Sequence, residues 1–461
     1  MSLTSTVIDF IIETDYNDLP KEAVEAAKKL FIDTAGVALA GSGAAGVEAT
    51  LNLLRNWGGR PESTVWVFGD KLPSLHAALI NCMMAHALDF DECHGEVPIH
   101  SCAPVFPTAL AMAECDETVT GRDLITAMVI GAEVASKLGL SIIERDKGWH
   151  LSATCGVFAC AAVAGKLLKL DHKRMANALG IGYTQAAGTQ QSTVDGALTK
   201  RMQPGFSARS GIFSALLARD GITGPEHFFE GPFGFFNLYQ DGRYDPQVLL
   251  NNMGAPFEIV NIATKPYPCC RLAHSPLDVL FTLLKESDLR LEEVETIDVY
   301  GSQAMKKLCG KPFRVGQENE IDAAFSLPFI MASAIERKVI DMDSFSPEAA
   351  RSSALAPHTG KVNVIGSDDV PSRWSTRVLI RKKNGEVLSG SVDSPKGQPD
   401  NPMSWEESVE KFNLCAMGAA KPFDQDRLMQ FVHSVEDLEH MNSAKNLVPL
   451  LRSVHTEEQA L

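Results

Sequence analysis

The chain has 461 residues, which is enough for two or three domains with a sizeable core, and 45% hydrophobic with 22% charged residues is an ordinary globular composition. The 58 Asp and Glu outnumber the 42 Lys and Arg, so the net charge of −16 opposes binding to nucleic acids or to anionic membranes. The ten cysteines form no C-x-x-C pair, and the first residues lack a signal-peptide pattern. We therefore expect a cytoplasmic protein with free thiols that binds neither nucleic acid nor membrane.

The first two-thirds of the chain is predicted to be helical, because its apolar residues recur at helical spacing. In chain order, the predicted helices cover residues 5–15, 21–40, 74–90, 122–142, 152–169, 172–189 and 206–219. Several are rich in Ala, Gly, Ser and Cys, and such small residues let helices pack closely. The apolar run 124–143 contains Glu133 and Lys137 and falls short of a clean membrane span. No Gly-rich dinucleotide or P-loop motif is present.

The pattern changes near the two prolines of KPYPCC at 265–270. A helix is predicted at about 273–286, followed by strands within residues 294–301, 360–366 and 375–392. Asn384-Gly385 indicates a tight hairpin turn inside the last of these runs. This part is predicted to be a smaller α+β segment, after which the chain returns to helix.

The segment HALDFDECHGEVPIH at 86–100 carries the strongest chemical signal. An apolar helix is predicted to end in Asp89, Asp91 and Glu92, and carboxylates at a helix C-terminus oppose the helix dipole. His94 and His100 follow. A functional cluster and a solvent-exposed loop after a core helix both fit this composition. The spacing matches no metal-binding motif, so metal stays a minor alternative.

Two further segments combine basic or imidazole side chains with predicted helix starts. His150 precedes a helix whose first amides favour an anion, with Ser152 or Thr154 as a candidate cap. Lys200 and Arg201 precede Pro204-Gly205 and suit a carboxylate or a phosphate, although such pairs also occur on ordinary surfaces.

Seven segments in order resemble the MmgE/PrpD family over nearly the whole chain. They are LFIDTAGVALAG (30–41), NCMMAHALDFDE (81–92), GWHLSATCGVFACAA (148–162), KRMQPGFSARSG (200–211), KPYPCCRLAH (265–274), FSLPFIMASAI (325–335) and PKGQPDNPMS (395–404). The resemblance implies a mainly α fold, with a large all-helical domain built from both chain ends (1–266 and 400–461) and a smaller α+β lid domain (267–399). It also implies a homodimer with a metal-free, cofactor-free active site in the cleft between domains.

Site residues carry over from the family motifs one by one. Asp89 matches the aspartate of a DFDD-like motif, His100 the histidine about ten residues later, His150 that of GWH, Lys200 the lysine before the Pro-Gly turn, and His274 the lid histidine. The resemblance thus implies catalytic roles for Asp89, His100, His150 and His274, and substrate binding by Lys200, Arg201, Asp91 and Cys93.

Three positions depart from the family pattern. Cys93 stands where Thr is common, Gln203 where His is common, and Phe329 where Tyr is common.

The family's reactions share a carbanion-like centre next to a carboxylate. We therefore expect a lyase that removes water or carbon dioxide from a small di- or tricarboxylate, with Lys200 holding a carboxylate and a His100–Asp89 pair moving the proton. An epimerase or isomerase on the same substrate class is the main alternative. A non-catalytic carboxylate-binding homologue is the other.

Overall fold

The structure is a computed structural model that describes residues 2–251, 253–315 and 320–453. The chain divides into two compact units. The first combines residues 1–264 with 404–461, and the second contains residues 265–403. Both ends of the chain therefore belong to the first unit.

Helices dominate the described residues, which confirms the mainly helical prediction. The α-helices are α1 (Leu3–Glu13), α2 (Lys21–Gly41), α3 (Val47–Trp57), α4 (Ser74–Ala85), α5 (Cys102–Glu114), α6 (Gly121–Ser141), α7 (Leu151–Thr154), α8 (Gly156–Leu167), α9 (His172–Tyr183), α10 (Gln191–Val194), α11 (Thr199–Arg219), α12 (Phe235–Gln240), α13 (Gln247–Leu250), α14 (His274–Glu286), α15 (Gln303–Cys309), α16 (Glu320–Ala324), α17 (Leu327–Arg337), α18 (Pro347–Ala350), α19 (Ala356–Thr359), α20 (Trp405–Met417) and α21 (Gln425–Glu436). Short 3₁₀ helices lie at Tyr16–Asp18, Glu258–Asn261, Arg271–Ala273, Leu291–Glu293, Met342–Phe345, Leu438–His440 and Ala444–Leu451.

Small residues allow the helices of the first unit to approach closely. Gly205 of α11 faces the carbonyl of Leu79 in α4, and a Cβ at Gly205 would lie 2.4 Å from that oxygen. A Cβ at Gly211, two turns later, would lie 2.5 Å from the Cβ of Cys160 in α8. Because neither position has room for a methyl group, α11 can pack against both helices only with glycine at these points.

Helix α6 is long and apolar enough to cross a membrane, yet 94% of its apolar window is buried inside the protein. The two charged residues within its buried stretch, Glu133 and Lys137, have partners in the core. Lys137 Nζ lies 2.7 Å from Glu258 Oε1, and Glu133 accepts the backbone N–H groups of Gly254 and Glu258. These features are typical of a core helix.

The strands are β1 (Ser63–Thr64), β2 (Lys71–Leu72), β3 (Cys93–His94), β4 (Ile262–Ala263), β5 (Val294–Ser302), β6 (Val362–Ser367), β7 (Thr376–Lys382) and β8 (Val387–Val392). In the second unit, four of them form one sheet in the order β6-β5-β7-β8, in which β5 and β6 are parallel and the other neighbours antiparallel. Gly385 has a φ of 88° in the turn between β7 and β8. The predicted Asn384-Gly385 hairpin is confirmed.

Several helix boundaries differ from the prediction. The predicted helix 74–90 ends at Ala85, and the predicted helix 206–219 begins seven residues earlier, at Thr199. Pro204 therefore lies inside α11 rather than ahead of it, because packing of the helix outweighs the hydrogen bond that proline cannot donate. The helix predicted at 172–189 ends at Tyr183 in the structure. The helix predicted at 152–169 is divided into α7 and α8.

Candidate active site

The chain leaves α4 at Ala85 and crosses residues 86–92 before it enters β3. We call residues 86–92 the acidic loop. Asp89 has a φ of 54°, a left-handed backbone conformation that Asp adopts more readily than most residues. The loop is bounded on its other side by β3, which pairs with β4. The acidic side chains therefore come from a loop with a defined path and not from a helix end.

Asp91 is shared by two histidines. Its Oδ2 lies 2.6 Å from Nδ1 of His86 and 2.9 Å from Nδ1 of His100. The two imidazole rings are 4.8 Å apart and nearly perpendicular. The side chains of His86 and Asp91 are fully buried, whereas that of His100 is 14% exposed. The contact of His86 with Asp91 is a hydrogen bond, and because an ionised carboxylate only accepts, Nδ1 of His86 carries the proton when Asp91 is charged. The contact of His100 with Asp91 is an ion-pair contact by distance.

His150 completes a group of three imidazoles. Its ring lies 5.5 Å from that of His86, and its backbone N–H donates to the Gly188 carbonyl. α7 begins at the next residue, as expected, but neither Ser152 nor Thr154 caps it. Ser152 Oγ instead accepts the backbone N–H of His100 at 2.9 Å and so joins two of the histidine segments.

Burial and the shared carboxylate separate the pKa values of these groups. Burial lowers the pKa of His86 to about 4, against the opposing charge of Asp91. Burial, with the neighbouring His86 and Lys200, also holds the pKa of His150 well below its usual range. Burial alone would raise the pKa of Asp91, but His100 and His86 hold it well below its usual value. The site thus contains a charged Asp91 beside neutral His86 and His150 at neutral pH.

Glu92 differs from its neighbour Asp91 in its hydrogen-bond partner and in the direction of its pKa shift. Its Oε1 accepts the backbone N–H of Cys102 at 2.5 Å, and burial together with the charge of Asp91 raises its pKa well above the usual range. Burial therefore favours the protonated form of Glu92, in contrast to the charged form of Asp91.

Lys200 and Asp89 form a second pair, at 3.1 Å between Nζ and Oδ1. Both side chains are partly exposed, at 23% and 18%. Lys200 is in the first turn of α11, whereas the adjacent Arg201 donates to the carbonyl of Ala45 at 3.1 Å. These observations favour Lys200 over Arg201 as the cation of the site.

The sequence predicts a pair of His100 and Asp89. In the structure the carboxylate of Asp91 lies beside His100, and Asp89 contacts Lys200. Because α4 ends before His86, the loop can direct alternate acidic residues to different partners. His86 lies in this cluster, and the sequence motifs did not select it. Its position directly after the apolar helix, five residues before Asp91, was the available signal.

Gln203 stabilises the segment behind His150. Its Oε1 accepts the N–H of Thr189 at 2.7 Å, and its Nε2 donates to the Thr189 carbonyl and to Ser192 Oγ. Since His150 donates its own N–H to the adjacent Gly188, this departure from the family pattern keeps an ordered segment beside the imidazole.

The other expected site residues have different surroundings. Cys93 is partly buried in β3, where its Sγ lies 3.9 Å from the Val97 carbonyl. Phe329 is fully buried against Phe313 and Phe345 in the second unit, so this position packs a core.

His274 belongs to the second unit, at the start of α14. Its Nδ1 accepts from the Arg271 guanidinium at 2.8 Å, its Nε2 lies 3.3 Å from the Cys269 carbonyl, and its ring is 5.2 Å from that of Tyr267. Its catalytic role stays a prediction from the family motif.

Among the described residues, His86, Asp91 and His100 form a geometric candidate for metal binding, with ligand atoms within 4.8 Å of one another. However, the 2.6 Å contact of His86 with Asp91 has the length of a charge-assisted hydrogen bond, and His100 Nδ1 lies 2.9 Å from the same oxygen. Zinc would place each ligand at about 2.0–2.2 Å from the ion and would replace those bonds. The arrangement favours proton sharing, and the metal-independent reaction stays a prediction.

The site therefore combines an imidazole–carboxylate group with a cation that can hold a carboxylate.

Comparisons with known proteins identify the family of the chain. Sequence profiles of the MmgE/PrpD N-terminal and C-terminal domains match residues 6–247 and 267–437. The chain belongs to the MmgE/PrpD family.

Its curated relatives span the chain almost completely. The cis-aconitate decarboxylase-like protein oryM of Aspergillus oryzae is 26% identical over 98% of this chain and 97% of its own. The cis-aconitate decarboxylase of Aspergillus terreus is 26% identical over 97% and 96% of the two chains. The cis-aconitate decarboxylase of Homo sapiens is 24% identical over 100% and 96%.

Proposed function

We propose that this protein is a lyase that acts on a small di- or tricarboxylate, and that decarboxylation of cis-aconitate is the first reaction to test. The His86–Asp91–His100 group beside the Lys200–Asp89 pair is the observation that carries the proposal. The names of the relatives supply the candidate substrate.

In this proposal Lys200 binds a substrate carboxylate. Its ammonium group is partly exposed and is held by Asp89, so it can exchange this contact for a contact with substrate. A charge-assisted hydrogen bond to a carboxylate is stronger than one between neutral groups. The same cation stabilises the negative charge that develops next to a carboxylate during the reaction.

His100 moves the proton. Its Nδ1 is held by Asp91, so the remaining nitrogen, Nε2, exchanges a proton with substrate. In decarboxylation, the bond between carbon and a carboxylate breaks, CO₂ leaves, and the electron pair stays on carbon until His100 donates a proton there. In dehydration, the same imidazole removes the proton next to a carboxylate before hydroxide leaves.

A panel of substrates tests this proposal. Purified protein is incubated with cis-aconitate, citrate, 2-methylcitrate and related acids, and the products are identified by ¹³C NMR. Loss of CO₂ from cis-aconitate supports the decarboxylase, an alkene formed from a hydroxy acid without loss of CO₂ identifies a dehydratase, and a recovered stereoisomer identifies an epimerase. Thermal stabilisation by an acid with no product would contradict the lyase and leave a binding protein.

Lys200→Met and Arg201→Met form a matched pair for this experiment. Both are adjacent cations of α11, and Lys200 contacts Asp89 of the acidic loop, whereas Arg201 donates to the Ala45 carbonyl. The proposal requires the Lys200 variant alone to lose activity. The homodimer stays a prediction of the family resemblance, and the cytoplasmic location stays a prediction from the cysteine pattern and the first residues.

A further inference from the structure

A buried ion pair supports the acidic loop from the opposite end of the chain. Lys411 of α20 and Asp33 of α2 are 5% and 1% exposed, and Lys411 Nζ lies 2.7 Å from Asp33 Oδ1. Both residues belong to the first unit. Neither was singled out by the sequence motifs, because they are separated by almost the whole length of the chain.

Lys411 also contacts Phe90, which lies between the two site aspartates. Its ammonium donates to the Phe90 carbonyl at 2.9 Å and lies 4.0 Å from the centroid of the Phe90 ring. Phe90 is fully buried. A single side chain therefore fixes both the backbone and the ring of the residue that connects Asp89 to Asp91.

The loop alternates between two sets of partners. Asp89 and Asp91 contact Lys200 and the histidines, whereas Phe90 contacts Lys411 and Glu92 accepts the backbone N–H of Cys102. A shift of the Phe90 carbonyl would move the residues on either side of it, since they share its peptide groups.

We propose that Lys411 is a positioning residue, which holds the Phe90 carbonyl so that Asp89 and Asp91 meet Lys200 and the histidines in register. This inference rests on the proposed function and adds a residue that acts through the acidic loop without touching substrate.

Stability alone gives a weak reason for this ion pair. Buried pairs can be replaced by neutral residues of similar volume with little loss, because the cost of desolvating two charges offsets their attraction. Removing one partner is different, since the other charge is then left buried. The contribution that a neutral replacement cannot supply is the hydrogen bond from Lys411 to the Phe90 carbonyl.

This difference separates positioning from folding. Asp33→Asn leaves Lys411 in contact with the Phe90 carbonyl but unbalances its charge, so we expect a lower Tm with kcat nearly retained. Asp33→Asn combined with Lys411→Met removes both charges, so we expect Tm to recover. In the double variant kcat should nevertheless fall about 10²-fold, since misplacement of catalytic groups by about 1 Å is enough for that loss.

Lys28 provides the matched control. It is 3% exposed, lies 2.5 Å from Glu439 Oε2, and donates to the Glu436 carbonyl at 2.9 Å. The Lys28→Met/Glu439→Gln variant therefore removes a similar ion pair and a similar carbonyl contact outside the acidic loop. We expect its kcat to match the wild type.

A second measurement does not depend on turnover. The ¹⁵N signals of the His86 and His100 imidazoles report the hydrogen bond of His86 and the ion-pair contact of His100 with Asp91. They should shift in the Asp33→Asn/Lys411→Met variant and not in the Lys28 control. Unchanged signals together with unchanged kcat would overturn the positioning role, as would a kcat that follows Tm across all variants. Absence of turnover in the wild type would refute the proposed function, and the imidazole signals would still decide the role of Lys411.

Discussion

Asp91→Asn is the substitution that tests the proton-transfer unit most sharply. Asn keeps the volume of Asp91 and one carbonyl oxygen, but it removes the charge that stabilises a protonated His100. General acid–base catalysis contributes about 10²–10⁴-fold, which corresponds to about 3–5 kcal/mol of activation free energy. We expect kcat to fall within that range.

The same substitution also affects folding. Asp91 Oδ2 now accepts from His86 Nδ1 at 2.6 Å and lies 2.9 Å from His100 Nδ1, and a neutral amide is a weaker partner for both imidazoles. One imidazole donor left without a good acceptor costs about 1–3 kcal/mol. Urea denaturation of the variant therefore has to accompany the kinetics, and the assay is run where both proteins are fully folded.

A double-mutant cycle shows whether Asp91 and His100 act together. We expect Asp91→Asn, His100→Gln and the double variant to have similar kcat/KM, because one proton-transfer unit cannot be removed twice. Asp89→Asn provides the comparison from the same loop, and its loss should multiply with that of His100→Gln, since Asp89 pairs with Lys200. Independent, multiplying losses for Asp91 and His100 would refute the assignment of the pair.

Three further predictions concern binding, pH and metal. Lys200→Met should lower kcat/KM by at least about 10–100-fold, the value of one charged hydrogen bond, with part of the loss in kcat. Arg201→Met should stay near wild type in the same steady-state assay, and equal effects would contradict the role of Lys200. The pKa of His86 is about 4 in the folded protein and about 6.5 in the unfolded chain, so the unfolded chain takes up this proton first as pH falls. Roughly 3 kcal/mol of the free energy of unfolding that is present above pH 6.5 should therefore be lost as the pH falls toward 4. Urea denaturation at each pH measures this loss, and His86→Gln should weaken the pH dependence; an unchanged profile in that variant would contradict a buried neutral imidazole. Exhaustive chelation should leave turnover unchanged, and activity restored only by a divalent cation would show that His86, Asp91 and His100 hold a metal.

The sequence predicted helix positions well where the apolar period was long and uninterrupted. It failed at the C-terminal end of α4 and at the start of α11, where local preferences compete with packing. Pro204 and Gly205 read as a turn, but contact with α4 keeps them helical. Such tertiary contacts are not visible in a single sequence.

The candidate site could likewise be predicted in part, because its residues were recognisable but their contacts were not. His100, His150, Lys200 and Asp91 could be selected from motifs, and the structure brings them close to one another or to shared partners. Their pairing could not be predicted, because the choice between Asp89 and Asp91 depends on the path of a seven-residue loop. The contact of Lys411 with the acidic loop could not be predicted either, because Lys411 comes from the other end of the chain.

The fate of the proton on carbon tests the central claim most directly. The wild type and His100→Gln are incubated with cis-aconitate in deuterium oxide, and deuterium in the product and in recovered substrate is measured by mass spectrometry. We predict one deuterium on carbon for each CO₂ released by the wild type, with both lost about 10²–10⁴-fold in the variant. Release of CO₂ with equal deuterium incorporation at an unchanged rate in His100→Gln would contradict proton transfer by the His100–Asp91 pair.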